Sequence, residues 1–251
     1  MIEVNNLVKS FGDREVLKGI SVDFKPGECS LVIGGSGSGK TVLIKCMVGL
    51  YETSSGEVFF DQRSFTKMNE NDKRDVRKEI GMVFQAGALF DSLNVEQNVA
   101  YPIEMFSDMS KSERLDRVNF CLNRVNLQNV NNLYPSQISG GMKKRVAIAR
   151  AIAMNPKYLF CDEPNSGLDP QTSILIDNLI SEITQEYQIT TVINTHDMNS
   201  VLEIGDKVIY LFEGKKIWEG ASEDILRSEN ELLNKFVFAS NLFKRIKSAS
   251  Q

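Results

Sequence analysis

Eight consecutive residues, Gly34-Gly35-Ser36-Gly37-Ser38-Gly39-Lys40-Thr41, restrict what this chain can fold into more than any other stretch. They fit G-x-x-x-x-G-K-[ST] and follow Ser30-Leu31-Val32-Ile33, short and apolar enough for a buried strand. The residues after them, Val42 to Val48, read as the first turns of a helix. A strand, a glycine-rich turn and a helix N-terminus together aim backbone N–H groups and positive dipole at an anion. Gly34, Gly35, Ser36, Gly37, Ser38 and Gly39 form the cradle and Val42 sits just inside the helix. Lys40 reaches β and γ phosphates, and the Thr41 hydroxyl suits Mg²⁺. The expected ligand is a nucleoside triphosphate with Mg²⁺.

The chain has 251 residues, enough for one large α/β domain or two modest ones. Its formal net charge of −4 gives no footprint for nucleic-acid binding. No apolar run is long enough for a membrane span, and Met1-Ile2-Glu3-Val4-Asn5 is no signal peptide. Cys29, Cys46, Cys121 and Cys161 are scattered without a C-x-x-C pair, so reduced core cysteines in the cytosol are expected. A single histidine argues against zinc.

Strand patterns occupy Ile2–Leu7, Ile20–Phe24, Glu57–Asp61 and Ile80–Gln85. From about residue 87 to 150 the pattern turns helical. Ser110 and Glu113 form a capping box before Leu115, Val118, Cys121, Leu122 and Val125, which are expected on one buried face. A strong helix is expected over Lys143–Ala153 and another over roughly 170–186. Strands return at Tyr158–Asp162, Thr190–Thr195 and Lys207–Phe212, and the last thirty residues look helical.

Two further elements carry chemistry. Tyr158-Leu159-Phe160-Cys161-Asp162-Glu163 is an apolar strand ending in two acids, which would face the nucleotide crevice. Asp162 suits Mg²⁺, and Glu163, aimed differently, suits orienting and deprotonating water. Ile138-Ser139-Gly140-Gly141-Met142 opens a helix and offers a second anion site.

These motifs together resemble the ATPase subunit of an ATP-binding-cassette (ABC) transporter over about residues 1 to 220. The resemblance implies an α/β fold: a P-loop NTPase (RecA-like) core with an N-terminal antiparallel β part and an inserted α-helical subdomain. A single domain over 1–251 would divide into a nucleotide-binding core (1–86 and 151–220), an inserted helical subdomain with the signature (87–150) and a C-terminal helical extension (221–251). Ile138–Met142 resembles the signature, usually Leu-Ser-Gly-Gly-Gln. Gln85 falls at the Q-loop glutamine, which implies catalytic and Mg²⁺-binding roles. Glu163 matches the catalytic glutamate and Ser166–Asp169 the D-loop, with Asp169 among the nucleotide contacts. His196 matches the switch histidine at the γ-phosphate, and Phe11 takes the place of the aromatic ring stacked on adenine. The family docks two copies head to tail, so a homodimer is implied, with each ATP capped by the other copy's Ser139, Gly140 and Gly141. The same resemblance places the chain on the cytoplasmic face of the inner membrane as a peripheral subunit.

A narrower resemblance rests on Phe84-Gln85-Ala86-Gly87-Ala88-Leu89-Phe90-Asp91-Ser92-Leu93 and on Met142 closing the signature. It is similar to ATPases of bacterial Mla or Mce-associated lipid transporters. It implies phospholipid transport, membrane permease subunits docked at the Q-loop and helical subdomain, and an Mce-type lipid-binding subunit. Leu89, Phe90 and Leu93 either line a groove for that permease or belong to the helical core. Ile138, Met142 and Asn165 depart from the commoner Leu, Gln and Thr or Ser without removing a phosphate-contacting group. Asn230–Gln251, including Leu242, Phe243, Ile246 and the basic Lys244, Arg245 and Lys247, either packs on the core or faces another protein.

Overall fold

A computed structural model gives the fold and describes residues 1–239. The expected helix beyond residue 239, with Leu242, Phe243 and Ile246, lies outside the described residues. Ten strands and nine α-helices follow one another as β1 (Ile2–Phe11), β2 (Arg14–Phe24), β3 (Cys29–Ile33), α1 (Lys40–Met47), β4 (Ser55–Phe60), β5 (Arg63–Ser64), α2 (Glu70–Lys78), β6 (Ile80–Val83), α3 (Val95–Phe106), α4 (Lys111–Arg124), α5 (Gly140–Ile152), β7 (Tyr158–Asp162), α6 (Pro170–Glu186), β8 (Thr190–Asn194), α7 (Met198–Ile204), β9 (Lys207–Phe212), β10 (Lys215–Gly220), α8 (Asp224–Arg227) and α9 (Glu231–Val237).

Two sheets result. The first is antiparallel, ordered β2-β1-β4-β5, and the second runs β10-β9-β3-β8-β7-β6. In the second sheet β3, β6, β7, β8 and β9 are parallel, with β10 added antiparallel at one edge. Its central strands β3, β7 and β8 are buried throughout because both faces are covered. Alternation assigns the faces: Val32, Tyr158, Phe160 and Val192 point toward α1 and the antiparallel sheet. Leu31, Ile33, Leu159, Cys161 and Ile193 point toward the helical side of the molecule. Parallel strands share their carboxyl ends, so the segments after β3, β6, β7 and β8 emerge along one rim.

The helical segment 95–152 contains α3, α4 and α5. The Ser110 capping box forms, with Ser110 N–H donating to Glu113 at 2.7 Å and Glu113 N–H to Ser110 Oγ at 3.3 Å. Val118, Cys121, Leu122 and Val125 are buried as expected, but Leu115 is exposed. The helical pattern expected from residue 87 starts instead at Val95. Residues 87–94 are an ordered loop held by the fully buried Asn98, whose amide accepts from Phe90 N–H and donates to the carbonyls of Phe90, Leu93 and Asn94. All four cysteines are free and buried. Among the described residues, no helix is long and apolar enough to cross a membrane.

Candidate functional site

The rim of the parallel sheet gathers the residues that the sequence singled out. Gly34–Gly39 leave β3 and lead into α1, whose N-cap is Gly39. Gly34 cannot carry a side chain: a Cβ there would stand 2.3 Å from the Leu211 carbonyl oxygen and 2.7 Å from Ser38 Oγ. Lys40 is buried, and its ammonium donates to the Gly34 carbonyl at 2.8 Å and the Gly35 carbonyl at 3.2 Å. Burial lowers its pKa below the usual lysine value, opposed by the charges of Glu163 and Asp162. Ser38 Oγ is buried with no hydrogen-bond partner among the described residues. The cradle therefore holds a cation and an unsatisfied hydroxyl around main-chain N–H groups, the donor set an oligophosphate takes.

At the end of β7, Asp162 Oδ1 accepts from Thr41 Oγ1 at 3.2 Å and from Asn194 Nδ2 at 3.0 Å. Thr41 and Asp162 thus offer hard oxygen donors side by side, which fits Mg²⁺. Glu163 turns away from them because its backbone is left-handed (φ 49°), a conformation that costs a non-glycine residue about 1 to 2 kcal/mol. Its carboxylate lies between Gln85 Nε2, at 2.9 Å from Oε2, and His196 Nδ1, at 3.0 Å from Oε1. Gln85 follows β6 and His196 follows β8, so three strand ends meet on one carboxylate. Gln85 is placed against Glu163 rather than beside Thr41 and Asp162.

Ser139, Gly140 and Gly141 sit apart from this rim. Ser139 caps α5 through Met142 N–H at 3.2 Å, and Asp169 caps α6 through Thr172 N–H at 3.0 Å. Gly141 lets α5 approach α6 closely, since a Cβ there would come within 2.7 Å of Thr172 Cγ2 and force that side chain to shift. These residues, with Gly167 and the 64 % exposed Leu175, line a separate cleft of about 310 Å³. Phe11 ends β1 and is exposed, edge-on to Tyr51 at 5.3 Å, with Lys9 Nζ 4.7 Å above its ring. Val42 packs against the core between the sheets.

A family model described as "ABC transporter" matches residues 17–166, more than half of the chain. Methionine import ATP-binding proteins of several bacteria are similar over most of the chain. That of Clostridioides difficile strain 630 is 38% identical over 237 residues, covering 94% of this chain and 74% of its own length. The Arabidopsis thaliana protein named TRIGALACTOSYLDIACYLGLYCEROL 3, chloroplastic, is 35% identical over 256 residues, 96% of this chain and 74% of its own length. Among solved structures, a dimeric post-hydrolysis state of the ATP-binding cassette MJ0796 bound to ADP and Pi superposes with a TM-score of 0.81 at 33% identity, covering 88% of this chain and 99% of that one.

The chain belongs to the ABC transporter family. It has the ABC ATPase fold and is an ATP hydrolase of the transport-coupled type, with ATP and Mg²⁺ as its nucleotide and metal. Two residues of this ABC cassette that the motifs did not single out complete the site. Asn194, which ends the fully buried strand β8, orients Asp162. Lys144 is buried although it stands in the basic run Lys143-Lys144-Arg145. Helical spacing was the signal available, since positions 147, 148 and 151 on the same face are buried.

Behind the D-loop, Asn165 Nδ2 donates to Asp177 Oδ2 at 3.1 Å and to Ser200 Oγ at 2.9 Å, tying together α6 and α7. Burial raises the Asp177 carboxyl from 3.8 to about 6, against lowering hydrogen bonds from Ser200 and Asn165. The folded value lies above the unfolded one, so this contribution to stability is complete below about pH 4 and is lost as the pH rises through 6. The loss amounts to about 3 kcal/mol. Asp177→Asn, which keeps an acceptor for Asn165, should raise the melting temperature by several degrees at pH 8 and give little advantage near pH 4. A gain of equal size at both pH values in thermal melts would exclude this origin.

Proposed function

We propose that two copies of this chain close around two ATP molecules, each cradle capped by the partner's Ser139, Gly140 and Gly141. The separation of the signature cleft from the cradle carries this reading, because each is half of a phosphate site on its own chain. Lys40 gives up the Gly34 and Gly35 carbonyls for phosphate oxygens, joined by the cradle N–H groups and Ser38 Oγ. Thr41 and Asp162 hold Mg²⁺, which when bound neutralises phosphate charge, and Asn194 keeps Asp162 aligned. Glu163 orients the attacking water and takes its proton at the carboxylate that Gln85 and His196 hold in place. Phe11 stacks on the adenine once Lys9 leaves its ring face.

The permease docks in an apolar groove of about 400 Å³ lined by Phe84, Ala88, Phe90, Tyr101, Pro102 and Met154. Of the three apolar residues with two open readings, Phe90 lines that groove, Leu89 packs against the helical-side core and Leu93 is absent from the lining. Arg150 donates to the carbonyls of Gly87 and Ala88, so the groove wall continues directly into the loop that bears Gln85.

For the cargo, the 84–93 segment and the Arabidopsis relative's name support a phospholipid or related lipid, with this chain peripheral at the cytoplasmic face of the membrane and an Mce-type subunit as a further partner. A second reading, methionine import, is favoured by the names of bacterial relatives at 38% to 40% identity. Purifying the chain with its permease and reconstituting both in vesicles separates them. Stimulation of ATP hydrolysis by phospholipid and not by methionine is expected, and stimulation by methionine alone would replace the lipid reading.

A further inference from the structure

Lys144 stands on the second turn of α5, five residues after the signature serine that caps the same helix. It is 6 % exposed, and its ammonium donates to the main-chain carbonyl of Gln85 and, at 3.3 Å, to that of Glu163. Those two residues also meet through their side chains. One buried cation therefore fastens both main chains whose side chains form the Gln85–Glu163 contact. Glu163 needs the restraint most, because its left-handed backbone aims the carboxylate and has no intrinsic preference for that conformation. Burying an ammonium is costly, and desolvation lowers the Lys144 pKa against the raising influence of Cys161, Glu163 and Asp162. Two carbonyl acceptors at one position explain why an amine, and not an apolar side chain, occupies this point of an otherwise apolar helix face.

We propose that Lys144 is a positioning residue for hydrolysis, linking the signature end of α5 to the pose of the Glu163 carboxylate. When a second copy engages Ser139–Gly141, any displacement of α5 reaches the two carbonyls through this one side chain. A helix transmits such a displacement over the roughly 8 Å that five residues span. The inference rests on the reading of Glu163 as the base that activates water.

The test compares Lys144→Met, one atom shorter and without a donor, with Lys144→Gln, which has the reach of methionine and carries an amide donor, in the full chain. Steady-state ATPase kinetics are measured beside binding of a fluorescent ATP analogue. Lys144→Met should lower kcat at least tenfold while KM and analogue affinity stay within twofold, and Lys144→Gln should recover several-fold of the loss. Gln85→Ala should cost less in the Lys144→Met background than in the native one, since both act on the same carboxylate. Equal losses of affinity and kcat, no recovery by Lys144→Gln, or additive effects with Gln85→Ala would overturn the proposal. Should Lys144→Met not fold, Lys144→Gln decides alone, by a lower kcat at unchanged affinity against any parallel loss of both. Glu163→Gln in the same assay separates the premise from the inference. Turnover retained in Glu163→Gln defeats the base assignment, whereas normal turnover in Lys144→Met beside an inactive Glu163→Gln defeats only the role of Lys144.

Discussion

Glu163→Gln is expected to lower the ATPase rate by about 10²- to 10⁴-fold, the usual contribution of a positioned general base. The substitution is nearly isosteric. Its remaining carbonyl oxygen still accepts from Gln85, and its amide can donate to the tautomer of His196 that accepts at Nδ1. The surrounding geometry, with Gln85 at 2.9 Å and His196 at 3.0 Å, is therefore preserved. What is lost is the ability to take a proton. The cradle residues Lys40 and Ser38, and the Thr41–Asp162 pair, make no contact through the substituted atom, so affinity for Mg-ATP should stay near the native value. ATP that binds and does not turn over should hold two copies together. Light scattering with Mg-ATP is then expected to give twice the 28.2 kDa of the chain, and the monomer mass without nucleotide. A variant keeping more than a tenth of native turnover would remove Glu163 from its proposed role. One that stays monomeric with Mg-ATP would instead contradict the closing of two copies.

The parts of this site that the sequence made legible are those where an apolar strand ends in a polar residue. Tyr158–Asp162 and Thr190–Asn194 are buried on both faces and Ile80–Val83 is apolar and at least half-buried, so the polar residues Gln85, Glu163 and His196 stand out just beyond their ends. The Gly34–Thr41 loop was legible because close approach to Leu211 leaves no room for a side chain at Gly34. Elements without such a contrast were missed. Helix α2 has Val76 as its only apolar residue and presents no stripe, while β10, Lys-Lys-Ile-Trp-Glu-Gly, is an edge strand with every position part-exposed or exposed. Residues 87–94 carry enough apolar side chains to look helical. Their conformation is instead dictated by Asn98 and Arg150, partners that act from α3 and α5. Lys144 was hidden by its neighbours, because a run of three basic residues reads as a solvated surface until the helix phase is counted. Asn165 and Asp177 needed the packing of α6 against α7, which no local pattern reveals.

Ser139→Arg should abolish hydrolysis to the same degree as loss of the base, yet for a reason located on the other copy. Ser139 lies at the exposed N-terminus of α5, where a long cation fills the space in front of the helix and opposes its dipole. The chain's own cradle lies on the sheet rim and shares no residue with the signature cleft, so monomeric ATP affinity should be unchanged. Lys40→Met has the opposite signature: the ammonium that serves the cradle is gone, and the same chain's signature is intact. Each variant alone should be inactive. Mixed, they form a heterodimer in which the intact cradle of the Ser139→Arg chain faces the intact signature of the Lys40→Met chain. That pair makes one complete site, and the second site carries both lesions. Random pairing puts half of the dimers in this mixed form with one working site of two, which corresponds to roughly a quarter of native activity if the sites act independently. Recovery on mixing is a result that no arrangement within one chain can produce, because each chain would keep its own lesion. An ATPase assay of the two variants alone and together settles it: activity that stays absent in the mixture, with both variants folded, would require the signature to serve its own cradle and would end the two-copy reading.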